Sequence, residues 1–160
     1  MTDAYVEPWL RGTLTEVDAV RRQVLHTFEL AEDDMEKWCA GLSDAEMNAR
    51  PYGNAPVSFH LRHIVGSLDR LLTYLEEGQL SDDQMATLRG ELGTGGSTAE
   101  VLRFSSSAPH PALPHNSPAK LAGHAAALPP DRCLVHCTDH THRHVGQAVT
   151  TSKVVVGMRA

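Results

Sequence analysis

Histidine is concentrated near the C-terminal end of this 160-residue chain. Ten residues are histidine, and four of them, His136, His140, His142 and His144, fall within nine positions. In an α-helix each residue turns by ~100°, so His140 and His144 lie within about 40° of each other and one turn apart. Two imidazoles spaced in this way can bind one divalent metal ion. The alternative for this spacing is a pair of hydrogen-bonded core histidines.

Other polar side chains flank the histidine pair. His136 lies about 12 Å along the helix from His144, so we predict a supporting or packing role for it. Cys137 is a softer alternative ligand, although a buried cysteine more often serves as a small apolar side chain. Asp139 and Arg143 have the spacing of a solvated ion pair.

The histidine pair falls on the last predicted helix. No proline interrupts the chain from residue 131 or 133 to residue 156. The face that carries the pair is mostly apolar and should point into the protein, whereas His142 projects towards the opposite side. The other residues of that face are Cys133, Cys137, Ala148, Thr151 and Val155.

Two more long helices are predicted from apolar side chains that recur every three or four positions. The first spans residues 14–40 and ends at Gly41, after which Ser43 and Glu46 have the spacing of a capping box that opens a short helical turn. The second spans residues 57–78. The pattern therefore indicates an all-α protein.

The second long helix offers His60 and His63 as a third ligand. On a helical wheel centred on the leucine stripe, His60 lies about 60° from the centre and His63 about 120°. Periodicity alone therefore favours His60, and either ring could instead flank the core.

The chain changes character after the second long helix. Ser81 caps a predicted short helix, and residues 98–104 begin another helical stretch. Residues 105–130 contain six of the nine prolines, a density that no helix of useful length tolerates. We therefore predict an irregular segment there.

The composition disfavours several classes of protein. A net charge of -6, with no basic run longer than Arg21 and Arg22, disfavours nucleic-acid binding. The first ten residues lack the pattern of a signal peptide, and no apolar stretch has the length of a membrane span. Three cysteines form no disulfide framework, which fits a reducing compartment. We expect one cytoplasmic domain over residues 1–160.

Two segments, PVSFHLRHIVGSLDRLLTYL and HCTDHTHRHVGQAVTTSKVV, resemble the signature helices of the DinB/YfiT-like superfamily of metalloenzymes. The resemblance extends to EPWLRG and LSDAEM near the N-terminus. It implies a four-helix bundle whose metal is held by one histidine of the second helix and a His-x-x-x-His pair of the fourth, ahead of Gly-Gln. In this sequence the implied ligands are His63, His140 and His144, and this outweighs the helical-wheel preference for His60.

The resemblance also implies a function. The expected cofactor is a divalent ion, zinc or nickel, whose three histidine ligands leave a position open to water or substrate. Relatives include S-transferases and isomerases that use low-molecular-weight thiols, so we expect a metal-dependent thiol S-transferase or hydrolase that acts on a small molecule. The alternatives are a non-catalytic, stress-associated metal- or ligand-binding module and an inactive, degenerate family member.

The departure from the family is the segment where its third helix is expected, residues 105–130. Either a divergent lineage or a change of reading frame in the gene explains an irregular or degraded third helix. Without that helix one side of the core is open. We therefore expect either that the protein forms a homodimer or that its stability is reduced.

Overall fold

The structure is a computed structural model that describes residues 4–75, 78–93, 95–106 and 130–159. Single 3-10 turns lie at Pro8–Leu10 and Pro51–Gly53. The α-helices are α1 (Ala19–Cys39), α2 (Asp44–Met47), α3 (Val57–Leu75), α4 (Asp82–Gly90), α5 (Thr98–Ser106) and α6 (Pro130–Gly157). The described ranges contain no β-strand, which confirms the predicted all-α class.

The first long helix is shorter than the sequence pattern predicts. It begins at Ala19 rather than residue 14, because Leu14 has a left-handed backbone with a φ of 57° and Asp18, the residue before the helix, is extended with a ψ of 155°. Asp18 caps the helix by accepting a hydrogen bond from the Arg21 amide at 3.1 Å. The apolar periodicity before Asp18 therefore belongs to a turn.

Both predicted serine caps are confirmed. Ser43 and Glu46 form a capping box at the start of α2, and Ser81 and Gln84 form another at the start of α4. In each box the serine hydroxyl accepts from one backbone amide while the longer side chain accepts from another. The second box fixes the start of α4. Glu91, the residue that follows this helix, reaches the candidate site.

Helix α6 packs against both α1 and α3. Two hydrogen bonds show that it runs parallel to α1. His142 donates to the Thr27 carbonyl and, further along both helices, Ser152 donates to the Trp38 carbonyl. These three helices and α5 share one apolar core. Its members include Val24, Phe28, Ala31, Met35, Leu61, Ile64, Leu68, Val101, Leu134, Val145 and Ala148.

The predicted irregular segment, residues 105–130, lies outside the described residues except at its ends, where α5 reaches Ser106 and α6 starts at Pro130. Before that segment, α5 packs against α3 and buries Val101. Among the helices that can be described, none is long and apolar enough to cross a membrane.

Candidate metal centre

Three of the predicted site histidines meet where α3 faces α6. Nε2 of His63 lies 3.1 Å from Nε2 of His140, and the ring centre of His144 is 4.4 Å from that of His63 and 4.7 Å from that of His140. One ring nitrogen of each residue lies within 4.8 Å of the other two. Tetrahedral metal bonds of about 2.1 Å separate ligand nitrogens by roughly 3.4 Å. Small side-chain movements therefore let all three nitrogens bind one ion.

His60 contacts this cluster from one turn further along the interface. Because α3 and α6 run antiparallel, His60 faces His144 while His63 faces His140. The Nδ1 atoms of His60 and His144 are 3.1 Å apart, and two neutral imidazoles at this distance need one donor and one acceptor. When His144 donates, its Nε2 lone pair is free for a metal. His60 then supports a ligand instead of belonging to the group of three.

Burial lowers the pKa of three imidazoles at this site, those of His60, His140 and His144. Desolvation is the main cause that lowers the pKa of His144 to about 4, and the nearby His63 and His140 lower it further. Desolvation also lowers the pKa of His60 to about 4 and lowers the pKa of His140. Since a metal binds the lone pair of a neutral imidazole, these lowered pKa values favour metal binding over protonation.

A buried carboxylate holds the outer nitrogen of His63. Nδ1 of His63 donates to Oε2 of Glu91 at 2.7 Å, and Nη1 of Arg70 donates to Oε1 of the same carboxylate at 2.6 Å. Glu91 is 3% exposed and Arg70 8%. Neither residue was among the site residues predicted from the sequence. Arg70 shares a helix face with His63, two turns away, which is a usable signal, whereas no local pattern indicates Glu91.

The remaining candidates on α6 lie outside the group of three. His136 is exposed, and its ring centre is 6.1 Å from that of His140. Cys137 is buried, and desolvation raises the pKa of its thiol to about 12, so it packs as a protonated side chain. Asp139 and Arg143 form an exposed ion pair at 3.0 Å, which confirms the prediction for them.

The other residues of the predicted inward face are placed as expected. Ala148, Thr151 and Val155 are buried, and Cys133 is half-buried. The ring of His142 is directed away from the cluster and contacts α1.

A sequence profile of the DinB superfamily matches residues 27–148, a range that includes all three clustered histidines. The chain belongs to the DinB superfamily. This membership confirms the resemblance carried by the two signature helices, and it agrees with the all-helical structure of this DinB-superfamily protein. Neither the curated proteins nor the solved structures include a significant match.

Proposed function

We propose that this DinB-superfamily protein is a metal-dependent enzyme that binds one divalent ion, zinc or nickel, through His63, His140 and His144. The convergence of three ring nitrogens from two helices is the observation that carries the proposal. No fourth histidine, cysteine or carboxylate joins them within the described part of the chain. Three protein ligands are typical of catalytic sites, because a position remains for water or substrate.

The proposed reaction joins a low-molecular-weight thiol to an electrophilic small molecule, or hydrolyses such a molecule. A divalent ion in this site would lower the pKa of a thiol or water bound to it and so favour the nucleophilic form. The chain's own cysteines are poor sources of that thiol. Burial raises the pKa of Cys39 to about 11 and of Cys137 to about 12, and it also raises the pKa of Cys133. These buried thiols favour the protonated form, so we expect the thiol cosubstrate to be a small molecule from solution.

Metal binding is tested on protein purified without a histidine tag. We expect one equivalent of zinc or nickel by calorimetric titration and elemental analysis. His144→Ala should weaken affinity by more than the ~10–100-fold typical of residues that only support a ligand. The matched control is His142→Ala. His142 lies on the same helix, but its ring contacts α1 and not the other histidines. Wild-type protein that takes up neither metal would overturn the proposal.

Substitution with cobalt separates an enzyme from a binding module. An open site should change its visible spectrum when an exogenous thiol is added, because sulfur replaces water in the coordination shell. The same protein should conjugate that thiol to an electrophile, and His140→Ala should lose both the spectral change and the conjugation. A spectrum that no thiol alters, together with stoichiometric metal, would favour the non-catalytic module.

A further inference from the structure

Glu91 occupies a notch on the surface of α3, here called the α3 notch, that is formed by His63, Gly66 and Arg70. These three residues lie on one helix face at spacings of three and four residues. Gly66 is in the middle of the helix, although glycine is a weak helix former. A Cβ atom at this position would collide with Oε1 of Glu91 and would lie 2.9 Å from Nη1 of Arg70. Glycine therefore leaves the space that the carboxylate needs.

Both carboxylate oxygens of Glu91 have a hydrogen-bond donor inside the α3 notch. Each carboxylate oxygen accepts one hydrogen bond, Oε1 from Arg70 and Oε2 from His63. A buried carboxylate without partners is strongly disfavoured, and here both oxygens have a donor. The ring of Phe59 stacks on the His63 ring with planes 15° apart, which further limits rotation of the imidazole.

We propose that Glu91 is a positioning residue of the metal site. By accepting a hydrogen bond from Nδ1 of His63, it fixes the tautomer in which the Nε2 lone pair faces His140 and His144. The negative charge also makes the imidazole a stronger electron donor, as outer-shell carboxylates do for histidine ligands elsewhere. The inference rests on the proposed function, since it takes His63 as a ligand. Glu91 acts through His63 and does not touch the ion.

The first test needs neither metal nor a variant. Nitrogen-edited NMR of the metal-free wild-type protein at mildly alkaline pH reports which ring nitrogen of each neutral histidine carries the proton. We expect His63 to be protonated at Nδ1 and unprotonated at Nε2. The opposite tautomer would overturn the proposal whether or not the protein binds metal.

The second test removes the acceptor or the space that it occupies. In Glu91→Gln a single amide oxygen faces two donors, His63 and Arg70, so the Nε2-protonated tautomer should become populated. Gly66→Ala keeps every charge and pushes the carboxylate out of the α3 notch. Both variants should bind zinc about 10–100-fold more weakly than the wild type.

Two control variants match these changes. Glu16→Gln removes a carboxylate that is exposed, and Gly146→Ala fills a helical glycine of α6 that has no heavy atom within 4 Å of the added Cβ. Neither should alter the His63 tautomer. Wild-type zinc affinity in both Glu91→Gln and Gly66→Ala would overturn the positioning role. A wild-type protein that binds no metal but shows a Glu91-dependent tautomer would overturn the proposed function and leave the hydrogen bonding assigned here intact.

Discussion

The two helices that supply the histidine cluster have different electrostatic surroundings. On α3, His63 is bonded to a buried carboxylate, Glu91, which is itself paired with the buried Arg70. On α6, Asp139 and Arg143, which precede His140 and His144 by one residue each, form a pair whose side chains are both more than half exposed. Helix geometry alone sets the spacing of His140 and His144 on α6. The orientation of His63 on α3, in contrast, depends on two buried charged side chains, one of which, Glu91, lies outside that helix.

The largest difference between the helices is expected when α3 loses Arg70 and α6 loses Arg143. Arg70→Ala leaves Glu91 buried with His63 as its remaining partner, so we expect a loss of about 3 kcal/mol in the free energy of unfolding. Arg143→Ala breaks only the exposed pair with Asp139 and should cost ~0.5 kcal/mol or less. Urea unfolding of the metal-free proteins measures both values. Equal losses would show that the surroundings of α3 and α6 do not differ in this way.

A smaller difference is expected when each helix loses a histidine beside a ligand. His60→Leu removes the side chain that faces Nδ1 of His144, and we expect zinc affinity to fall by about tenfold. His136→Ala removes an exposed ring on α6 and should leave the affinity unchanged. Competition with a chromophoric chelator measures both affinities. If His60→Leu binds zinc as tightly as the wild type, α6 positions His144 without help from α3.

The same contrast explains which part of the site could be predicted from sequence. His140 and His144 share one helix, and an i, i+4 spacing fixes their relative direction locally. The choice between His60 and His63 depends on how far α3 is shifted along α6, which periodicity within one helix does not encode. The wheel favoured His60, which is indeed the more deeply buried of the two, and the family resemblance pointed to His63, which lies in the group of three.

The fold shows the same limit. The class of the protein and the serine caps follow from patterns within a few residues, and they were predicted. The start of α1 was predicted too early, because the apolar periodicity before Asp18 also fits a turn. Glu91 was missed because it is 28 residues from His63 in sequence. Gly66 was the available signal, since a glycine inside a helix often marks the close approach of another segment.

Just beyond the C-terminal end of α6, Arg159 forms an ion pair with Glu46. Nε of Arg159 donates to Oε1 of Glu46 at 2.6 Å, while the backbone amide and hydroxyl of Ser43 donate to Oε2. The hydrogen bond from Arg159, followed by those from Ser43, lowers the pKa of Glu46 from 4.5 to about 2. The folded pKa is below the unfolded one, so Glu46 adds stability above pH 4.5 that is lost as the pH falls towards 2.

The smallest effect is therefore expected for Arg159→Ala. Compared with the wild type, this variant should show a slightly lower Tm at neutral pH, because Arg159 is half exposed and its interaction is screened by salt. The difference should persist down to a pH near 4.5, shrink as the pH falls towards 2 and vanish below 2, where Glu46 is protonated in both proteins. Thermal unfolding followed by circular dichroism across this pH range measures it. A difference that grows on acidification, or one as large as that of Arg70→Ala, would show that exposed and buried arginines contribute alike.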